Sequence, residues 1–232
     1  MVPGRSKQVF KQWLSAQNPA WTNGVETVAM DGFTGFKTAA AEELPGAVAV
    51  MDPFHVVRLA GDALDHSRRR VQQQLHGHRG RAGDPLYMSR RTLHTGTKLL
   101  TDRQWTRIND LFDSDDHVEV EVTWTIYQKM IDAYRHPDRA TGKHDLTMLI
   151  DSLRAKVPTP LVELRKLGRT LNTRATDILA FFDRPGSSNG PTEAINGRLE
   201  HLRGSALGFR NLTNYIARSL LESGGFRPQL HP

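Results

Sequence analysis

The chain has 232 residues, 38% of them hydrophobic, enough for one large packed unit or two small ones, and no stretch approaches the roughly 20 apolar residues that span a bilayer. The first residues, Met1-Val2-Pro3-Gly4-Arg5-Ser6, hold no signal-peptide core, and cysteine is absent; the expectation is a soluble cytoplasmic protein without disulfides, thiolate nucleophiles or cysteine zinc sites, in which carboxylates or histidines must hold any metal. Lys+Arg number 31 against 25 Asp+Glu, a net charge of +6 with a pI near 9.8, and the excess is mostly arginine, which favours a polyanionic partner.

In chain order, residues 7–16 place Phe10, Trp13 and Leu14 on one stripe of a helix capped by Ser6 and ended by Asn18-Pro19. Residues 24–30 are short, β-branched and bounded by turn residues, which predicts a strand with Asp31 at its end. Residues 34–44 predict an alanine-rich helix stopped by Pro45-Gly46, and residues 47–51 a second strand followed by Asp52. Strand, helix and strand make a βαβ unit, whose right-handed crossover leaves its strands parallel and brings Asp31 and Asp52 to one sheet edge.

From residue 56 helical periodicity takes over. Residues 56–75 predict a long amphipathic helix whose polar face carries Arg68, Arg69 and Arg70, followed by a Gly-rich loop at 76–84 with Arg79 and Arg81. These arginines read either as phosphate contacts or as a solvated helix face. Further helices are predicted over 102–112, 118–134, 145–156 and 161–182; the alternation at Val118–Val122 admits a strand, but Trp124, Tyr127 and Ile131 continue it at helical spacing. After a loop at 184–191 a helix begins near Pro191, with Asn189 as a cap and a polar stripe of Glu193, Asn196, Gly197 and Glu200 that Arg203 continues. A basic tail from Gly204 carries Arg210, Arg218 and Arg227.

Phosphoryl transfer on nucleic acid needs one oxygen made nucleophilic and another stabilised as it leaves, which two divalent ions about 3.5–4 Å apart accomplish when a few carboxylates hold them. Hard Mg²⁺ takes oxygen ligands, so strand-end aspartates with one helix-borne glutamate meet the demand: Asp31 and Asp52 are the strand-end candidates and Glu193 the helix-borne one. The structural reading of the same aspartates is that each caps the next helix. His55 reads as a metal contact or as a hydrogen-bonded residue at a helix start. Trp13, Trp105, Trp124 and Phe181/Phe182 read as core rather than base-stacking platforms. His76 and His78, among glycines and arginines, fit a mobile phosphate-contacting loop better than a metal pair.

Three segments carry a resemblance: Val28-Ala29-Met30-Asp31-Gly32-Phe33, Asp52-Pro53-Phe54-His55-Val56-Val57, and Ser188-Asn189-Gly190-Pro191-Thr192-Glu193-Ala194-Ile195-Asn196-Gly197-Arg198. They resemble the successive motifs of bacterial insertion-sequence transposases of the ISL-three family, as does the close at Ala206-Leu207-Gly208-Phe209-Arg210-Asn211 followed by Tyr215-Ile216-Ala217, and the likeness extends over essentially the whole chain. The resemblance implies an α/β, mostly helical fold: a partial ribonuclease H-like core, made of the βαβ unit and the C-terminal glutamate helix, interrupted by an all-α insertion. Its domains are then the partial core over 1–57, the insertion over 58–176 and the returning core helices with the basic tail over 177–232.

The resemblance further implies a DDE transposase that cleaves and transfers DNA strands with Mg²⁺ or Mn²⁺. Its metal ligands are Asp31 and Glu193, supported by Asp52, His55, Asn189 and Asn196, while Asp52 remains the alternative second catalytic aspartate. Transposon-end DNA is the expected partner, gripped by Arg68, Arg69, Arg70, Arg79, Arg81, Arg203 and Arg210; a homo-oligomer is left open and no membrane is involved. Residues 1–5 would be the end of a third strand, and no Asp or Glu precedes Glu26, so the first catalytic aspartate is expected to be missing, the chain inactive alone and its sheet edge exposed. The rival expectations are a non-catalytic DNA-binding regulator and a decayed remnant.

Overall fold

The computed structural model describes residues 2, 4, 6–32, 34–155 and 157–223. Among them two strands, Thr27–Met30 (β1) and Val48–Met51 (β2), pair in a two-stranded parallel sheet, and the remaining regular structure is helical. Of the expected third strand end at 1–5, Met1, Pro3 and Arg5 lie outside the described residues, and Val2 and Gly4 are not in a strand. Phe33, Lys156 and Arg227 also lie outside them. The chain divides into two compact units, residues 1–47 with 187–232, and residues 48–186.

In the first unit, α1 (Lys7–Ser15) starts where the Ser6 hydroxyl accepts the Val9 N–H at 3.2 Å. It packs on α3 (Thr34–Glu43) through Leu14, Ala39 and Ala40, with the Phe10 ring edge-on to Phe36 at 5.1 Å. Lys7 and Lys11 reach Glu42 at 2.7 and 2.5 Å. Hydrogen bonds from Lys11 and then Lys7 hold the Glu42 carboxyl down to about 2, although the group is solvated. A helix absent from the periodicity, α2 (Pro19–Asn23), forms because the Asn18 side chain accepts the Ala20 N–H at 2.8 Å and Pro19 is preset for a first turn. The pair that ends one helix therefore opens the next. Trp13 corrects the core expectation: it is 39% exposed and stacks edge-on with exposed Trp21 at 5.8 Å.

This unit also holds α11 (Gly190–Ser205) and α12 (Leu212–Ser223). The expected tail is thus helical to Ser223, because Asn211 accepts the Thr213 N–H at 2.8 Å as a cap and Tyr215, Ile216 and Ser219 give the helix an inner side. Phe209 packs on Tyr215 at 5.1 Å.

The second unit is built on α4 (Pro53–His76), whose inner stripe of Val56, Ala60, Ala63, Leu64 and Val71 faces α7 (Val118–Tyr134) and α9 (Val162–Thr173). Gly77 closes α4 in the left-handed conformation, φ 68°, that a glycine adopts without strain. Short turns follow, α5 (Pro85–Met88) capped by Asp84 and two single 3₁₀ turns at Thr92–His94 and Thr97–Leu99, then α6 (Asp102–Phe112) behind a reciprocal Thr101/Gln104 cap. Next, α8 (Arg139–Arg154) starts six residues before its expected position because Asp138 accepts the Thr141 N–H. The helix expected over 161–182 breaks at Arg174 into α9 and α10 (Ala175–Asp183). Periodicity could not show this break, since Leu164, Leu167, Leu171, Ile178 and Phe182 stay in phase across it and all are buried. Trp124 and Phe182 are core residues as expected, whereas Trp105 is exposed at 37%.

Candidate functional site

In the first unit Asp31 follows the last residue of β1 directly and is half-buried. Glu193 lies exposed in the first turn of α11, where an acidic side chain complements the positive end of the helix dipole. Its N–H donates to the Asn189 carbonyl at 2.9 Å. Asn189 occupies the cap position, but its side chain makes no capping bond; the Ser188 hydroxyl accepts the Gly190 N–H at 3.0 Å instead. Asn196, Gly197, Glu200 and Arg203 continue along α11, all exposed, and no residue of this helix is buried. Arg203 pairs with Glu200 at 2.8 Å, and Arg210 is exposed in the turn before α12.

In the second unit Asp52 is 2% exposed, and its Oδ1 accepts the Phe54 N–H at 2.9 Å, so it carries out the capping role read from sequence. His55 is half-buried with its ring 5.8 Å from Phe54. Across from this helix start, the Tyr134 hydroxyl is buried without a hydrogen-bond partner. Burial, and after it the Asp52 charge, push its pKa well above the ordinary tyrosine range, so the phenol stays protonated.

The arginine run divides into two kinds. Arg68 is buried: Nε and Nη2 donate to Asp65 at 3.2 and 3.0 Å and Nη1 to Gln72 at 2.8 Å. Gln72 donates in turn to Asp84 at 2.5 Å, which ties the end of the 77–84 loop to α4. Arg70 lies between Glu163, at 2.8 Å, and Glu119, an ion pair at 2.6 Å that lacks hydrogen-bond alignment. The Arg68 guanidinium is thus held by partners on its own helix, whereas that of Arg70 joins α4 to α7 and α9. Arg69 is exposed, with Asp65 at 3.1 Å, and Arg79 and Arg81 are exposed in the loop.

Several groups escaped the sequence reading because their partners are far apart along the chain. His94 approaches Asp65 at 3.5 Å; hydrogen bonding with His94, followed by Arg68, holds the Asp65 carboxyl far below its usual range against the opposing effect of burial. The Arg70–Glu163 pair spans α4 and α9. No local pattern marks either. Among the described residues no group of three or more His, Cys, Asp or Glu stands close enough to hold a metal ion, and no helix is long and apolar enough to cross a membrane.

Comparison with known proteins gives a consistent result. The ISL-three family model, described as "Transposase", matches residues 1–219. The transposase for insertion sequence element IS1557 of Mycobacterium tuberculosis, in strains CDC 1551 and H37Rv, is 26% identical over 255 aligned positions that take in 99% of this chain. The chain spans about half the length of these relatives, 54%. No solved structure matches it.

Proposed function

The chain belongs to the ISL-three family of transposases, and on that premise we propose that it contributes part of a DDE site for metal-dependent DNA strand cleavage and transfer in moving an insertion sequence. The observation that carries this reading is the exposed Ser188-Asn189-Gly190-Pro191-Thr192-Glu193 start of α11, which puts a carboxylate at a helix N-terminus in the same compact unit as the strand-end Asp31. The proposed core is ribonuclease H-like, with β1 and β2 as two of its strands and Glu193 on its late helix.

Asp31 and Glu193 are the proposed ligands for Mg²⁺ or Mn²⁺. Asp52 remains the alternative to Asp31, and its burial and capping bond favour the supporting role. Bound Mg²⁺ would supply Lewis-acid stabilisation of the attacking and leaving oxygens. The described residues do not form a three-ligand cluster, so they do not fit a complete metal site and no reaction step is drawn through one. What these residues do by themselves is hold carboxylates at a strand end and a helix start. As an isolated chain the protein should bind DNA without cutting it.

DNA contact falls to the exposed guanidinium groups, Arg69, Arg79, Arg81 and Arg210, with Arg203 shared with Glu200. The buried Arg68 and doubly paired Arg70 serve the helical unit. Exchanging Arg79 and Arg81 for glutamine should weaken duplex binding and lower the salt slope by about one per lost phosphate contact, measured by fluorescence anisotropy across a salt series. An unchanged slope would remove this loop from the interface. The lack of a three-ligand cluster favours a second reading, a DNA-binding regulator without catalysis. On that reading DNA binding survives Asp31→Asn with Glu193→Gln, and no cleavage appears in any context.

A further inference from the structure

Within the helical unit, the start of α4, the turn at 94–99 and the end of α7 enclose a cleft of about 320 Å³. It begins at Pro53, one residue after Asp52. Phe54, His94, Tyr127 and Tyr134 contribute four aromatic rings to its lining, and Phe54 is 61% exposed although it sits in the first turn of a capped helix. At the rim Arg135 is exposed and has no ion-pair partner among the described residues. Gly96 lets it come close: a Cβ there would stand 3.1 Å from Arg135 Nη1.

The wall is fixed before any ligand arrives. Buried Gln128 donates to the Thr95 carbonyl at 2.9 Å and accepts the Thr97 N–H at 3.0 Å, while the Tyr127 hydroxyl donates to the His94 carbonyl at 3.1 Å. A preformed wall spares a ligand the cost of ordering it. The buried Tyr134 hydroxyl lacks a partner, so it has a hydrogen bond to give.

We propose that this cleft is a subsite for one unstacked DNA nucleotide, its base lying against Phe54 and its phosphate on Arg135, next to the strand end that bears Asp52. The inference rests on the transposase reading. Aromatic faces stack any base without sequence preference, and a guanidinium without a carboxylate partner suits a phosphate. A cleft of this size takes one nucleotide rather than a duplex, and chemistry on a paired strand benefits when a neighbouring base is drawn out of the stack.

The test uses the intact chain and two labelled DNAs, a blunt duplex and the same duplex ending in a short single-stranded overhang that carries 2-aminopurine. The overhang should bind about tenfold more tightly, with its fluorescence quenched on binding; Phe54→Ala and Arg135→Gln should each abolish that preference and leave blunt-duplex binding unchanged. Equal affinity for the two DNAs, or a preference that survives both substitutions, overturns the subsite while leaving DNA binding intact. Variants that lower both affinities equally overturn it as well. Binding to neither DNA overturns the DNA reading itself, and the subsite with it.

Discussion

Arg70→Met should lower the stability of the helical unit by about 2–3 kcal/mol at neutral pH, measured by denaturant unfolding or by hydrogen exchange of α7 and α9 amides. Methionine keeps most of the aliphatic stem, so the loss isolates the charge. Removing the guanidinium leaves Glu119 and Glu163, both partly buried and both drawn toward Arg70, without the cation between them. The range lies below that for a fully buried pair because about a quarter of the Arg70 and Glu119 side chains stays in contact with water. The pH dependence has a definite sign. Burial alone would raise the Glu163 carboxyl, but the Arg70 hydrogen bond, a backbone hydrogen bond and the charges of Arg70 and His66 together outweigh it and leave Glu163 lowered. Its contribution is therefore full above the unfolded glutamate pKa, about 4.3, and is lost as pH falls through the lower folded value. In Arg70→Met the facing carboxylates gain by protonation, so the gap from wild type should narrow on acidification. A gap that widens toward pH 4 would contradict the arrangement.

Two glycines in helix interiors should respond to alanine with opposite signs. At Gly168 in α9, a Cβ would stand 2.6 Å from the Leu153 carbonyl oxygen and 2.9 Å from its Cβ. Backbone cannot yield as a side-chain tip can, so α8 and α9 must separate and their buried contacts Leu153, Leu164 and Leu171 loosen. Gly168→Ala should cost about 3 kcal/mol even after the gain of about 1 kcal/mol in helix propensity. At Gly197 in α11 nothing lies within 4 Å of the added methyl group. There the propensity gain stands alone, and Gly197→Ala should stabilise α11 by about 0.5–1 kcal/mol, read as slower amide exchange along that helix. Similar effects at the two positions would mean that α8 and α9 do not approach as closely as Gly168 requires.

These contrasts mark what was legible in the sequence. Periodicity gave α6 and α7 at their observed limits, and β1, α3 and β2 nearly so, because apolar spacing and turn residues act locally. It failed where a side-chain cap decided the matter: Asn18 opening α2, Asp138 moving the start of α8, and Asn211 turning a basic tail into α12. It failed again at Arg174, where the apolar phase runs through the break. For the site, motif resemblance pointed to Asp31, Asp52 and Glu193, while spacing alone could not separate a capping aspartate from a ligand; the capping bond of Asp52 now documents the structural half of that choice. The arginine run was the least legible feature. Arg68, Arg69 and Arg70 are neighbours in sequence and point to three surroundings, one buried, one solvated and one between two glutamates, because successive helix positions face different directions. The cleft beside Asp52 could not be read at all, since Phe54, His94 and Arg135 meet only in the folded unit.

The most direct test of the central claim is an incubation of the isolated 232-residue chain and its Glu193→Gln variant with end-labelled insertion-sequence DNA and Mg²⁺, followed on a denaturing gel beside a binding assay. Both proteins are expected to hold the DNA, and neither to cut it. Cleavage by the wild-type chain that disappears in the variant would overturn the proposal that its carboxylate set is incomplete, and cleavage that persists in the variant would overturn the proposed place of Glu193 in the site.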